Sequence, residues 1–325
     1  MAVKKLKQKT AHHNLVGLHI QDQGLSLTKL VTDDQGNPCV DQLIIEETDE
    51  PQKRLKQLAF ANKLANRQWS LVLDHSQYQL ILIDVPDVPE DEVEAALKFK
   101  VKDLIPFNLE EAVVDVFRLP AQAYRGRLKM AYVAVAKREP LDELANLFGM
   151  SGLKLQCIDI EDHAMRNLIS LGGQKENGGI LRVRKDRSTI NLCHKDHLCL
   201  NRHIEMGWSS FEKVELAEPG GPPTGFQIQL DTLILEVQRS LDYFESQLGL
   251  GVIPELFVLC GSELPDEVIV QLDKAFNAWV KRFDCKQFIS VPEDITDNQL
   301  VESSLALGAS LRDLQSRFAM PEGEV

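Results

Sequence analysis

The sequence predicts an α/β protein in which one unit of strands and helices is used twice. Three strands, a helix and further strands follow one another from residue 14, and the same order returns after residue 177. Between the two units, residues 86–153 show a different order of helix, two strands and helix. The chain has 325 residues, of which 44% are hydrophobic, so it is long enough for two lobes with cores of their own.

Turn-forming residues separate the strands of the first unit. Residues 21–24 and the stretch at 33–38, rich in Asp, Gly and Asn, are such turns, and Pro51 opens an amphipathic helix that reaches about residue 64. The predicted strands lie at 15–20, 25–31, 40–46, 69–74 and 79–85. We therefore assign residues 14–85 to a first lobe.

The second unit repeats this order. Its predicted strands lie at 180–183, 189–194, 198–206, 253–260 and 287–291, and its helices at about 230–248 and 265–283. We assign residues 178–294 to a second lobe. Residues 154–177 and a C-terminal helix over 295–318 are expected to pack back on the first lobe. Residues 1–13 are expected to form a basic flexible arm, and residues 319–325 a tail.

The inserted segment predicts a small α+β subdomain over residues 86–153. Residues 87–90 have capping-box spacing with a Pro in the first turn, so a helix should start there and end at Pro106. Strands at 113–119 and 130–136 and a helix at 140–148 follow. The apolar stripe of the first helix is Val93, Leu97, Val101 and Leu104.

Composition excludes several classes of protein. The formal charge is −13, whereas a nucleic-acid-binding face needs concentrated basic charge, so we expect no nucleic-acid partner. Six scattered cysteines without a Cys-x-x-Cys pair are typical of reduced cytoplasmic thiols. Polar residues 7–9 interrupt the place of a signal-peptide core, and no apolar run approaches the ~20 residues of a membrane span. We expect a cytoplasmic protein.

Two copies of such a unit are typical of the ribonuclease-H-like halves of the actin, sugar-kinase and chaperone ATPase superfamily, whose two lobes surround a cleft. Six stretches carry a closer resemblance: residues 95–107, 110–116, 78–86, 130–136, 236–244 and 305–309. The first two resemble the PilM/MshI family, the next two are similar to its MshI members in particular, and the last two fit the wider PilM family.

This resemblance implies an actin-like fold of the cell-division FtsA type, with the insert as its extra subdomain. It implies a scaffold for type IV pili of the mannose-sensitive haemagglutinin class, peripheral to the membrane at the cytoplasmic face of the bacterial inner membrane. The implied partners are the cytoplasmic tail of a PilN-like single-span protein, held in a groove beside the subdomain, and the pilus assembly motor ATPase.

Relatives that bind ATP use a glycine-rich turn in each lobe with an acid on the preceding strand. Backbone amides must approach the phosphates, and a carboxylate must help to hold Mg²⁺. Here His19 stands at the first acid and Gln21 at the first glycine, while Arg182 and Arg184 stand at the second pair. Asp22 is the carboxylate that could replace the first acid from a shifted position.

The adenine-binding turn departs from the pattern as well, because Gly261, Ser262 and Glu263 stand where relatives have a run of glycines. Arginine is a donor only and cannot coordinate a cation. We therefore predict a degenerate nucleotide site, no catalytic residue and no required cofactor. The alternative is an active actin-like ATPase whose ATP and Mg²⁺ cycle is coupled to assembly of the pilus machinery.

A hairpin in the second lobe has the densest set of potential metal ligands. If residues 195–196 form its turn, then His194, His197 and Cys199 project from one face of the sheet. The spacing matches no compact zinc motif. Incidental histidines in a hairpin are the favoured interpretation, and a Zn²⁺ site is a weak alternative.

The end of the first subdomain helix is a candidate wall of the partner groove. Its residues are Phe99, Lys102, Asp103, Ile105, Pro106 and Phe107. Phe99 lies off the apolar stripe, and residues 106–107 leave the helix as an apolar elbow. This corner either packs against the body of the protein or receives an apolar segment of the partner. Both readings stay open.

Overall fold

The computed structural model describes residues 15–21, 24–33, 37–173, 176–212 and 225–312. These residues form two five-stranded sheets and one three-stranded sheet, with helices on their faces. The predicted arm (1–13) and tail (319–325) lie outside the described residues. No helix within the described ranges combines the length and the apolar character that crossing a membrane requires.

The elements follow one another along the chain. The described strands are β1 (Leu15–Gln21), β2 (Gly24–Thr32), β3 (Pro38–Glu47), β4 (Gln68–Leu73), β5 (Tyr78–Asp84), β6 (Ala112–Arg118), β7 (Met130–Lys137), β8 (Lys154–Ile160), β9 (Asn177–Val183), β10 (Ser188–His194), β11 (His197–Ile204), β12 (Glu255–Leu259) and β13 (Trp279–Arg282). The described helices are α1 (Pro51–Ala61), α2 (Val93–Val101), α3 (Arg138–Ser151), α4 (Glu161–Leu171), α5 (Gly225–Asp242), α6 (Asp266–Ala275), α7 (Asp297–Glu302) and α8 (Ser304–Ser310). A π-helical segment, Tyr243–Gln247, continues α5.

The two larger sheets share one topology. Their strand orders are β3-β2-β1-β4-β8 and β11-β10-β9-β12-β13. In each sheet the first three strands are antiparallel, and the last two run parallel to the central strand. This repetition confirms the predicted duplicated α/β architecture. We refer to the first sheet with α1 as the first lobe, and to the second sheet with α5 and α6 as the second lobe.

Small residues let two helices lie close to the centre of the first sheet. A Cβ atom on Gly17 of β1 would come within 1.9 Å of the Ala306 carbonyl oxygen in α8. One on Gly308 would come within 2.3 Å of the Ala164 carbonyl oxygen in α4. Helix α4 contacts strands of both sheets. Its first turn therefore lies where the two lobes face each other.

The small sheet, of order β5-β7-β6, forms the subdomain together with α2 and α3. Val93, Leu97 and Val101 of the predicted stripe are buried in its core, whereas Leu104 is 52% exposed because α2 ends at Val101. β5 pairs with β7 along its whole length. The strand that the sequence analysis placed in the first lobe thus belongs to the small sheet, which begins at residue 78 rather than 86.

Elements near the C-terminus also differ from the predictions. The predicted helix over 265–283 ends at Ala275, and β13 follows it. In place of the predicted strand at 287–291 there is a short 3₁₀ turn and a single bridge between Cys39 and Ser290. Of the predicted helix over 295–318, residues 313–318 lie outside the described residues. The described part is divided into α7 and α8 at Ser303, whose hydroxyl donates to the Gln299 carbonyl oxygen over 2.8 Å.

Candidate functional site

Charged side chains from both lobes meet in the cleft between them. We refer to seven residues as the cleft cluster: His19, Asp74, His75, Glu161, Arg182, Arg184 and Arg187. His19 lies on β1, the Asp74–His75 pair follows β4, and Glu161 begins α4. The three arginines come from β9 and from the turn between β9 and β10. The cluster therefore lies where the two phosphate turns were predicted.

Glu161 is the most buried acid of the cluster, with a side chain that is 2% exposed. Arg182 Nη1 donates to Glu161 Oε1 over 2.8 Å, and Arg184 Nη2 lies 3.5 Å from the same oxygen. Burial alone would raise the pKa of Glu161, but Arg182 and Arg184 outweigh it and lower that pKa. Arg182 thus neutralises a buried carboxylate.

Asp74 joins the two lobes. Arg184 Nη1 lies 3.7 Å from Asp74 Oδ2, and Arg187 Nη2 lies 3.9 Å from Asp74 Oδ1. Burial would raise the pKa of Asp74, but His19, the Ser76 amide and the neighbouring cations hold it well below its usual range. The carboxylate is therefore ionised at neutral pH and faces two guanidinium groups from the opposite lobe.

Asp74, His75 and Glu161 offer potential metal-ligand atoms within 4.8 Å of one another. However, Arg187 Nη1 contacts His75 Nε2, and a guanidinium can only donate. Neutral His75 must then carry its proton on Nδ1, which lies 2.5 Å from Asp74 Oδ1, so it has no lone pair for a metal there. Both carboxylates also face arginines. We interpret the group as an ion-pair network rather than a cation site.

The first predicted phosphate turn holds imidazole and amide groups. His19 is buried, and Gln21 Nε2 donates to His19 Nδ1 over 3.2 Å. Asp22, the predicted substitute carboxylate, lies outside the described residues. Among the residues that the structure describes here, neither His19 nor Gln21 offers the anionic oxygen that Mg²⁺ prefers.

The second predicted phosphate turn is covered by residues 207–209, which follow β11. The amides of Trp208 and Ser209 donate to the carbonyl oxygens of Arg184 and Lys185, each over 2.9 Å. A Cβ atom on Gly207 would come within 2.2 Å of both of these oxygens. The turn is thus fixed by its own lobe and carries guanidinium groups into the cleft.

The residues of the cleft do not fit the Mg²⁺–ATP complex that an actin-like fold implies. Arg182 and His19 are the residues that were predicted at the places of the two acids. The two carboxylates that the cluster does contain, Asp74 and Glu161, already have arginine partners. A hydrated Mg²⁺ ion would have to displace these arginines and then lie beside their charge.

The predicted adenine-binding turn lies elsewhere in the second lobe. Leu259, Gly261 and Ser262 help to line a cavity of about 470 Å³ that extends to α7 and α8. The Glu263 carboxylate lies over Gly261, where a Cβ atom would come within 2.0 Å of Glu263 Oε2. Ser304 also lines this cavity, and its buried hydroxyl has no hydrogen-bond partner among the described residues.

The predicted groove corner separates into two kinds of residue. The side chains of Phe99, Lys102, Asp103 and Pro106 are exposed, with Phe99 at 71%. Ile105 and Phe107 are half-buried and pack against the core of the subdomain. The Phe107 ring also lies 5.6 Å from Lys137 Nζ. Packing thus accounts for Ile105 and Phe107, and a partner surface stays a prediction for the exposed group.

A second cavity, of about 460 Å³, lies between the first lobe and the subdomain. Its apolar lining comes from Ile20, Leu71 and Leu73 of the first sheet and from Leu144 of α3. Residues 49–53 at the start of α1 form its polar rim. The predicted corner residues are not among those that line it in the described part of the chain. This cavity was not predicted from the sequence, because α3 and the sheet meet only in the folded chain.

In the described structure, the candidate metal ligands of the histidine and cysteine hairpin lie apart from one another. His194 Nε2 lies 2.8 Å from Gln122 Nε2, and His194 Nδ1 lies 2.7 Å from Asn177 Oδ1. His197 is exposed, and burial raises the pKa of the Cys199 thiol to about 12. The three side chains do not converge in the described structure. This arrangement does not favour the Zn²⁺ alternative, which stays a prediction.

Four members of the cleft cluster were missed at the sequence level: Asp74, His75, Glu161 and Arg187. A usable signal was present, because polar residues directly follow the apolar strands β4 and β8. The carboxyl ends of parallel strands meet at one edge of a sheet, which is where ligands bind in many α/β folds.

Comparisons with known proteins give a consistent result. Residues 11–211 match the family model of the type IV pilus assembly protein PilM. A chain of the PilM–PilN type IV pilus biogenesis complex is similar over 95% of this chain and 99% of that chain, with 19% identity and a TM-score of 0.68. This likeness confirms the predicted fold. A second similar structure is the cytoplasmic domain of EpsL, an inner membrane component of the type II secretion system of Vibrio cholerae. The similarity covers 89% of this chain and 93% of that chain, with 13% identity and a TM-score of 0.48. No curated protein matches the chain.

Proposed function

The chain belongs to the PilM family of type IV pilus assembly proteins, and from this membership we propose that it is an adaptor that holds the cytoplasmic tail of a PilN-like inner-membrane protein. The family match carries the proposal, because residues 11–211 include the first lobe, the subdomain and part of the second lobe. A structural relative is described as a complex of PilM with PilN. An adaptor needs partner surfaces and no turnover.

We further assign the protein to pili of the mannose-sensitive haemagglutinin class, as an MshI protein at the cytoplasmic face of the inner membrane. The stretches that resemble MshI, residues 78–86 and 130–136, correspond to β5 and β7, which are neighbours in the small sheet. The likeness thus falls on two paired strands of the small sheet. The pilus motor ATPase is a second partner in this proposal.

The cavity beside the subdomain is the groove we propose for the tail. Its apolar lining, from β1, β4 and α3, and its polar rim at the start of α1 suit a short segment with apolar anchors. The exposed Phe99 surface is the second candidate for contact with the tail. Phe99 and the rim residue Gln52 are both exposed, so each can be changed at little cost to stability.

Fluorescence anisotropy with a labelled peptide of the PilN-like tail tests the proposal. We expect saturable binding by the wild-type protein, at least tenfold weaker binding by Gln52→Trp, and a smaller loss for Phe99→Asp. Phe60→Asp, which changes an aromatic side chain that is 56% exposed on α1, is the matched control and should bind normally. Absence of wild-type binding would contradict the adaptor role. Normal binding by Gln52→Trp would contradict only the assigned groove, and normal binding by Phe99→Asp only the second candidate surface.

We propose that this adaptor does not hydrolyse ATP, because arginines of the cleft cluster pair with its carboxylates. One observation favours the alternative, an active ATPase: the cavity beside Gly261 is large enough for a purine and contains the unpartnered Ser304 hydroxyl. Base binding there would still leave the phosphates facing a cleft whose described carboxylates, Asp74 and Glu161, both have arginine partners. We therefore retain the non-catalytic assignment.

A further inference from the structure

We propose that the two lobes are held in one fixed arrangement without any nucleotide, by the subdomain acting as a brace and the cleft cluster acting as a clasp. In a two-lobed nucleotide-binding protein, the ligand itself bridges the lobes, so their angle depends on its presence. Here protein groups supply that bridge. The inference concerns the lobes themselves and does not depend on which partner the protein binds.

The brace is anchored in the core of the first lobe. Phe148 of α3 meets Trp69 of β4 edge to face, with ring centroids 6.1 Å apart. Ala136 and Leu144 of the subdomain belong to the same buried cluster. Burying these side chains fixes the subdomain against the first lobe, because large interior contacts are costly to separate.

The same subdomain is anchored in the core of the second lobe. Leu119, Ala123 and Tyr132 are buried in a cluster that consists largely of second-lobe residues. The subdomain therefore shares one core with each lobe. A change in the angle between the lobes would have to expose one of these two apolar interfaces to water.

A strained loop strengthens the contact with the second lobe. The Tyr124 amide donates to the Leu248 carbonyl oxygen over 2.7 Å, and the hydroxyl groups of Tyr124 and Tyr243 lie 2.7 Å apart. Tyr124 and Arg125 both have positive φ angles, of 54° and 57°. Non-glycine residues adopt this conformation only where surrounding contacts offset its cost. Docking on the end of the α5 helix provides those contacts.

The clasp lies in the cleft between the lobes. Asp74 of the first lobe faces Arg184 and Arg187 of the second. Nearby, the buried carboxylate of Asp162 accepts from Tyr78 and Asn191 over 2.8 Å each. These bonds join α4, the small sheet and the second sheet. Separating the lobes would leave buried charged and polar groups without partners, which is strongly unfavourable.

Double electron–electron resonance between spin labels on the two lobes tests the proposal. Labels at Lys56→Cys in α1 and Lys274→Cys in α6 report the lobe angle, with the partly exposed Cys39 and Cys157 replaced by serine. We expect one narrow distance that does not change on addition of millimolar Mg²⁺–ATP. A wild-type distance that shifts with Mg²⁺–ATP, or a broad wild-type distribution, would overturn the inference.

Variants show which contacts fix the angle. We expect Asp74→Asn and Tyr124→Ala each to broaden the distance distribution, and the combined variant to broaden it most. Arg239→Gln, which removes an exposed pair with Glu236 on α5, is the matched control and should leave it unchanged. If the combined variant does not fold, the two single variants decide. Folded variants with the wild-type distribution would refute the brace and clasp.

Discussion

The cleft and the surface of the subdomain differ in which side chains they shield from water. In the cleft, buried and half-buried charged groups are paired with one another, as Arg182 and Glu161 are. On the subdomain, Phe99 is 71% exposed and projects from α2. Paired buried charges give a closed interior, whereas an exposed aromatic side chain is available to a partner. From this comparison we expect partners to bind the surface of the subdomain rather than the cleft.

The largest effect on stability is expected in the cleft. Arg182→Ala leaves the Glu161 carboxylate buried with a weaker set of partners, and breaking a buried ion pair typically costs about 3–5 kcal/mol. Chemical denaturation should show a loss of this order in the free energy of unfolding. Arg239→Ala removes an exposed pair and should cost less than about 1 kcal/mol. Equal losses for the two variants would contradict the buried pairing.

Two phenylalanines sharpen the comparison on the side of the subdomain. Phe107 is half-buried against the subdomain core, so Phe107→Asp should lower the free energy of unfolding by about 1–3 kcal/mol. Phe99 is exposed, so Phe99→Asp should change it by less than about 0.5 kcal/mol. Thermal and urea denaturation measure both. A stable Phe107→Asp protein would return that residue to the candidate partner surface.

A smaller effect concerns pH. Burial lowers the pKa of His75, and although Asp74 acts in the opposite direction, Arg187 adds to the decrease. In the unfolded chain, His75 has its ordinary pKa of about 6.5 and binds a proton below that pH. In the folded protein His75 binds this proton more weakly, because its pKa is lower. The stability that neutral His75 contributes is therefore present above this pH and falls below it.

Urea denaturation at pH 7.5, 6.5 and 5.5 tests this expectation. The free energy of unfolding should decrease toward pH 5.5, and it should decrease less steeply in His75→Gln. His194, whose pKa is also lowered by burial, accounts for part of the remaining slope. Identical slopes for the wild type and His75→Gln would show that His75 does not titrate in this way.

The local pattern of residues was sufficient to predict the repeated sheets. Apolar and polar residues alternate along the strands, and turn residues lie between them. This pattern failed where no local signal exists. Helix α4 was missed: Ile160 at its start provides no side-chain cap, so the boundary between β8 and the helix has no marker. β5 was misplaced because both of its faces are apolar and only its pairing with β7 shows its sheet.

The candidate site shows the same limit. His19 and Arg182 could be singled out from positions in a turn pattern. Their partners Asp74 and Glu161 could not, because residues 74, 161 and 182 come together only when β4, α4 and β9 are assembled. Sequence reasoning therefore singled out His19 and Arg182, and the structure shows the carboxylates that lie beside them.

Isothermal titration of the wild-type protein with Mg²⁺–ATP, together with an assay for released phosphate, tests the central claim most directly. Because guanidinium groups occupy the cleft and its carboxylates are already paired, we expect no saturable heat and no phosphate release. Saturable binding with turnover, abolished by Arg184→Gln, would contradict the account and establish an active ATPase.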